Sequence, residues 1–275
     1  MLATVRSVGW IFVILIPAGV ASAQDSPETK AILKGFTTDL KSKKPEDRHK
    51  AAQAIGELGP KGKSACRPLC EAMLDGNVKV RTAAADALKK VDKDLAELAV
   101  AMYVNYSMDA VAKTGALGAA GEPLCPLVWT LASRISTTTP VTREEFAANA
   151  QKLIECLRVL AKIAPADPSA NSMIISAISL MQTQGIDKSH GSDVRAVAAE
   201  LIRSMKHKKQ ALKPLLFAAV GDTETIRIAA IESLAGIHDA DNGAIIVKTL
   251  EDMRFDTSIP VRKAAESALE AIKKK

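Results

Sequence analysis

Residues 78–88 read Val-Lys-Val-Arg-Thr-Ala-Ala-Ala-Asp-Ala-Leu, an alanine-rich segment in which an arginine stands at the fourth position. The same pattern recurs around five arginines of the chain: Arg48, Arg81, Arg195, Arg227 and Arg262. Three residues after the arginine there is always alanine, and seven residues after it there is always isoleucine or leucine. Such self-similarity at a spacing of roughly 20 to 50 residues is the sequence signature of a solenoid.

Each arginine segment has the period of an amphipathic helix. In the second one, apolar residues fall on one stripe while the charged residues fall elsewhere; the stripe consists of Val80, Ala84, Ala87, Leu88 and Val91. A shorter apolar segment precedes the helix, with a proline 13 residues before the arginine at Pro68 and at Pro214. Proline suits the first turn of a helix. The repeat unit is therefore a short helix, a turn and the arginine helix.

These motifs resemble HEAT repeats, especially the short bacterial kind called HEAT-like or phycobilisome-lyase-type repeats. The resemblance is carried by Pro-Leu-x-x-Ala, an aspartate near the turn and (Val/Ile)-Arg-x-x-Ala, and it is strong over residues 45–93 and 193–275. It implies an all-α fold, a right-handed α-α superhelix of about seven helix pairs. Such a pattern specifies a fold far better than a function.

The central residues 94–192 are interpreted as degenerate repeats. Gly115, Gly118 and Gly121 echo the glycines near residue 56, and the aliphatic markers recur at intervals of 33, 29, 43, 42, 32 and 35 residues. The markers are Ile55, Leu88, Leu117, Leu160, Ile202, Leu234 and Leu269. The longer intervals predict loops at 136–140 and 164–168.

The repeated arginines are interpreted as structural residues, since a binding site seldom needs the same residue in every repeat. Asp75, Asp222 and Asp256 precede their arginines by six, five and six residues. The resemblance to HEAT repeats implies a ladder of side-chain hydrogen bonds between successive turns. Guanidinium groups are suited to this, because they cap carbonyls and pair with carboxylates at the same time.

The amino-terminal residues predict export. Arg6 precedes a short apolar run that ends in Ala21-Ser22-Ala23, which is typical of a secretory signal peptide cleaved after Ala23. The run is too short for the roughly 20 residues of a spanning helix, although an uncleaved anchor is the alternative. The predicted organisation is a signal peptide at 1–23, a linker and first helix at 24–44, and a solenoid at 45–275. We expect the mature protein in the periplasm or outside the cell, with no stable membrane span.

The positive charge of the mature chain lies in its first quarter. Residues 24–93 contain 15 Lys and Arg against 10 Asp and Glu, whereas residues 94–275 contain 21 of each. This surplus defines a candidate basic binding patch, formed by Lys41, Lys43, Lys44, Lys50, Lys61, Lys63 and Arg67. A polyanion partner and a merely solvated face both fit the surplus.

No residue pattern predicts catalysis, a metal or a cofactor. The four cysteines are Cys66, Cys70, Cys125 and Cys156. Their spacing fits neither zinc nor haem attachment, and export permits disulfides whose existence the spacing leaves open. No phosphate-binding loop or nucleophile elbow is present in the sequence.

The predicted function is therefore a non-catalytic exported scaffold, with a protein or peptide ligand of unknown identity on the concave face. The alternatives are a HEAT-like enzyme, similar to bilin lyases or DNA glycosylases, and a binder of nucleic acid or another polyanion. Nucleic acid is the less favoured partner, because only the amino-terminal charge surplus supports it.

Overall fold

The structure, a computed structural model, describes residues 27–179, 188–206 and 208–274, except for the side chains of 188–192. The predicted signal segment lies outside the described residues. Within them the chain forms fourteen α-helices and no strand. The first eight are α1 (Pro27–Asp39), α2 (Pro45–Glu57), α3 (Cys66–Ala72), α4 (Val78–Val91), α5 (Lys93–Asn105), α6 (Met108–Ala116), α7 (Cys125–Thr137) and α8 (Arg143–Ile163). The others are α9 (Pro168–Ser179), α10 (Lys188–Leu201), α11 (Leu212–Gly221), α12 (Glu224–Ile237), α13 (Gly243–Met253) and α14 (Ile259–Lys273).

The helices pack as seven consecutive pairs, from α1 with α2 to α13 with α14. The second helices of most pairs also pack on one another, as do many first helices, so that two layers share one continuous core. This confirms the all-α solenoid of about seven pairs. Helix α1 completes the first pair, and the seven aliphatic markers all lie at or near the ends of the second helices.

Alanine at the third position after each arginine permits close stacking of the second helices. All five of these alanines are buried, namely Ala51, Ala84, Ala198, Ala230 and Ala265. Where α2 meets α4, an added Cβ on Gly56 would lie only 3.0 Å from the Cα of Ala87. The residue before the arginine is also fully buried in the inner and last repeats, whereas Asp47 in the first repeat is exposed, as a terminal unit requires.

The first and third pairs end in the same joint, which supports the interpretation of the centre as degenerate repeats. Gly59 and Gly118 adopt φ values of +55° and +57°, and each leads into a seven-residue 3₁₀ segment, Gly59–Ala65 or Gly118–Leu124. A positive φ favours glycine because it has no Cβ to clash. A Cβ on Gly121 would lie 2.7 Å from the carbonyl oxygen of Thr114, so this position also excludes larger residues.

The regular stacking of second helices is interrupted at the third pair. Helix α2 packs on α4, and α6, α8, α10, α12 and α14 pack in succession, but within the third pair α4 packs on the first helix, α5, instead of on the second helix, α6. On the other side of the stack, α3 contacts α7 directly. The third pair is therefore inserted between two blocks of regular repeats.

The buried alanines generate a stability prediction. Replacing Ala230 with arginine should lower the free energy of unfolding by more than about 3 kcal/mol, because a large charged side chain would be forced into a close helix contact. Thermal and denaturant unfolding followed by circular dichroism would measure the loss. Ala271→Arg is the matched control, since Ala271 lies exposed on α14. Equal stability of the two variants would contradict the close-packing argument.

Candidate functional site

Four of the five repeated arginines donate to a backbone carbonyl in the turn before their own helix, and Arg195 donates to a carbonyl in the last turn of α9. Arg48 Nη1 lies 2.8 Å from the carbonyl oxygen of Ser42, and Arg262 Nη1 lies 2.7 Å from that of Asp256. Arg81 and Arg227 make the same contact with Asp75 and Asp222, at 2.7 and 2.6 Å. Arg195 instead donates through Nε to Ile178, at 2.6 Å. The guanidinium groups of Arg48, Arg81, Arg227 and Arg262 thus close the turns between first and second helices.

Three of the arginines also bind the aspartate of the following repeat. Arg48 and Asp75 form a bidentate pair at 2.6 and 2.8 Å, and Arg227 Nη2 lies 3.0 Å from Asp256 Oδ1. Arg195 pairs with Asp222 in the same way, and both side chains are almost fully buried. Each aspartate therefore receives its own repeat's arginine at its backbone carbonyl and the preceding repeat's arginine at its carboxylate.

The pairing order differs from what sequence spacing indicates. Spacing associates Asp75 with Arg81, but the carboxylate of Asp75 binds Arg48, 27 residues earlier. The reason is that adjacent repeats bring their turns side by side, so the nearest carboxylate for an arginine belongs to the next turn. Asp75 Oδ1 additionally accepts a hydrogen bond from the backbone N–H of Asn77 at 2.8 Å, which orients it toward Arg48.

The ladder predicts a dependence of stability on pH. The hydrogen bond from Arg48, opposed by burial, lowers the pKa of Asp75 below its usual value. A lowered pKa in the folded state contributes stability that is fully present above the unfolded pKa of about 3.9 and is lost as the pH falls through the folded value.

Asp75→Asn should therefore lower the free energy of unfolding at pH 7 by about 1.5–3 kcal/mol. The variant should also lose less of its remaining free energy of unfolding than the parent protein does when the pH falls from 7 to 3. Urea unfolding between pH 7 and pH 3 would measure both effects. Asp94→Asn, at an exposed position of α5, is the control. If Asp75→Asn and the parent protein lost stability in parallel below pH 4.5 (roughly half a unit above the unfolded pKa), the ladder would not be the acid-sensitive element.

A second ionic cluster surrounds Arg67, on α3 at the opposite edge of the stack. Its guanidinium pairs with Glu71 on the same helix at 3.3 Å and also with Glu122 and Asp167. These partners lie 55 and 100 residues further along the chain. Burial opposes the ionisation of Asp167, but the backbone N–H of Ala170 and the guanidinium of Arg67 outweigh it and lower its pKa.

The candidate basic patch is not one surface. Lys41, Lys43 and Lys44 precede α2, whereas Lys61 and Lys63 lie beyond its carboxyl end, about 20 Å away along a 13-residue helix. Lys63 pairs with Asp92 at 3.3 Å, and Arg67 is neutralised by three carboxylates. Lys50 lies exposed on α2 itself. The sequence could not separate these groups, because a charge count contains no distances.

All four cysteines are buried and unpaired. Burial raises the pKa of the Cys66 thiol to about 11 and that of Cys125 and Cys156 to about 12, and it raises the pKa of Cys70 further. Because the thiolate is the reactive form, these thiols are poor nucleophiles at neutral pH. Their role in this fold is to fill the core.

A groove of about 810 Å³ lies between α2 and α4, on the surface formed by the second helices. Buried small residues, Gly56, Ala83 and Ala87, lie where the two helices approach most closely. Longer polar side chains border the groove: His49, Gln53, Glu57, Lys79, Thr82, Asp86, Lys89 and Lys90. The volume is in the range of ligand sites, although the groove is open and polar rather than enclosed. No pattern in the sequence indicates this groove, because it forms between two helices that are separated along the chain.

No protein-family model and no curated protein matches this chain. Among solved structures, the chain is similar to an engineered protein, at 19% identity, covering 88% of this chain and 99% of that one with a TM-score of 0.37. It is also similar to a designed armadillo repeat protein in complex with the peptide (KR)4, at 18% identity, 87% and 99% coverage and a TM-score of 0.36. A third is human deoxyhypusine hydroxylase, at 13% identity, 88% and 85% coverage and a TM-score of 0.36.

These neighbours include a designed armadillo repeat protein and an enzyme, and their TM-scores of 0.36 to 0.37 are too low to support an argument about this chain. The class of this chain, an all-α solenoid of helix pairs, therefore follows from its own helix packing. Among the helices of the described ranges, none is both long and apolar enough to span a bilayer.

Proposed function

We propose that the protein is an exported, non-catalytic scaffold of HEAT type, which binds a protein or peptide segment along the face of its second helices. The observation that carries the proposal is the groove between α2 and α4. It is open at the surface and about as long as the two helices, roughly 20 Å, which suits an extended or helical segment rather than a small molecule.

The structural roles of the repeated arginines and of the cysteines support this proposal. The repeated arginines are engaged in turns and ion pairs, and the four thiols are buried and protonated. The groups that would attract a catalytic interpretation therefore serve the fold. Recognition is left to the surface side chains, which differ from repeat to repeat and can encode a specific partner.

The side chains that border the groove include both hydrogen-bond donors and hydrogen-bond acceptors. Gln53 and Thr82 stand exposed on facing helices, and Lys90 Nζ lies 2.6 Å from Glu57 Oε1 across the groove at its far end. Amide and hydroxyl groups donate and accept hydrogen bonds, as the backbone of an extended peptide requires. The floor of small residues leaves room for side chains of the partner.

Blocking the groove should abolish partner binding. We expect the double variant Gln53→Arg/Thr82→Arg, in which two long side chains fill the groove, to lose the protein captured by the parent chain from an envelope fraction. Quantitative mass spectrometry would measure the loss, with Glu97→Arg on the exposed face of α5 as the control. Retention of the same partner by the blocked variant would refute the groove as the site.

Export is tested separately by sequencing the amino terminus of the mature protein. The Ala21-Ser22-Ala23 site predicts that it begins at Gln24. A soluble product that retains Met1 and stays in the cytosol would overturn this part of the proposal without affecting the groove.

A further inference from the structure

The arginine ladder is interrupted where the third pair is inserted. Arg81 donates to the carbonyls of Asp75 and Gly76 in its own turn, at 2.7 and 3.1 Å. Among the described residues, no carboxylate of the following repeat forms a salt bridge with it, in contrast to Arg48 and Arg227. The turn between α5 and α6 carries Tyr106 and Ser107 in place of an aspartate. Between the second and third pairs this edge of the stack therefore lacks the kind of tie that joins the first pair to the second, the fifth to the sixth and the sixth to the seventh.

The opposite edge carries an additional tie at the same level. Arg67 lies on α3, in the second pair, and its guanidinium forms ion pairs with Glu122 and Asp167. Glu122 precedes the fourth pair along the chain, and Asp167 precedes the fifth. Arg67 thus spans the third pair altogether. Asp167 is held in place by its own hydrogen bonds, since its Oδ1 accepts from the backbone N–H groups of Ser169 and Ala170 at 2.8 and 2.9 Å.

We propose that the third pair is a hinge between two blocks of regular repeats and that the ionic cluster around Arg67 is the latch that keeps it closed. The block formed by α1 to α4 contacts α7 directly through α3, which is the helix that carries Arg67. Opening would change the direction of the α2–α4 groove relative to the rest of the stack.

The solvent accessibility of two buried thiols would show whether the latch is closed. Cys70 lies on α3 and Cys125 begins α7, and both are almost completely inaccessible to solvent. Cys70 follows Arg67 by three residues on α3 and Cys125 follows Glu122 by three, and α3 contacts α7, so both thiols lie next to the cluster. Opening of the hinge would expose these two thiols while Cys156, within α8, stays buried.

The experiment measures the rate of maleimide labelling at each cysteine by mass spectrometry under native conditions. Arg67→Met, which keeps an unbranched apolar stem but removes the charged guanidinium, should label Cys70 and Cys125 about tenfold faster or more, because at least one charge-assisted hydrogen bond is lost. Cys156 should keep the rate of the parent protein. Glu122→Gln, a milder change, should give a smaller acceleration at the same two thiols.

Lys209→Met is the matched control. Lys209 also binds two carboxylates across adjacent repeats, Asp239 at 2.9 Å and Asp241 at 2.7 Å, but it lies within the regular carboxyl-terminal block. The Lys209→Met variant should leave the labelling rates of all four cysteines unchanged. Unchanged rates in both cluster variants would overturn the latch, and equal acceleration of all four thiols would overturn the hinge, since it would show a cluster that stabilises the whole stack.

Discussion

The structure depends on the close approach of successive second helices at an alanine. Because Ala84, Ala230 and their equivalents present only a methyl group, neighbouring helices stack closely enough for the aliphatic residues one turn later to fill the remaining space. Once this distance is set, the turns of adjacent repeats lie side by side. Only then can an arginine of one repeat reach the aspartate of the next, so the ladder is a consequence of the alanine contact.

The ladder in turn explains why the conspicuous charges of this chain are not free for a ligand. Arg48 and Arg227 each satisfy a backbone carbonyl and a carboxylate, which leaves few donors for a partner. A largely buried cation is tolerated only when such partners compensate for its lost hydration. The most regular charged residues are thus engaged within the fold, and in our proposal recognition depends on the irregular ones that border the α2–α4 groove.

The third pair shows how a solenoid tolerates an irregular repeat. The glycine joint of the first pair recurs in it at Gly118 and Gly121, so its connection to the next pair is conventional. Its lack of a turn aspartate leaves Arg81 with backbone partners alone. The Arg67 cluster compensates at the opposite edge, and it does so with residues that belong to no repeat motif.

The sequence by itself determined the elements and the class of the fold, because helix period, buried alanines and turn residues act over a few neighbouring positions. It also indicated that the repeated arginines are structural. Only the tertiary structure decided that Asp75 pairs with Arg48, that Arg67 joins Glu122 and Asp167, and that the lysines of the supposed basic patch lie at both ends of α2. The physical reason is that ion pairs and grooves depend on distances between segments up to 100 residues apart, and no local pattern encodes those distances.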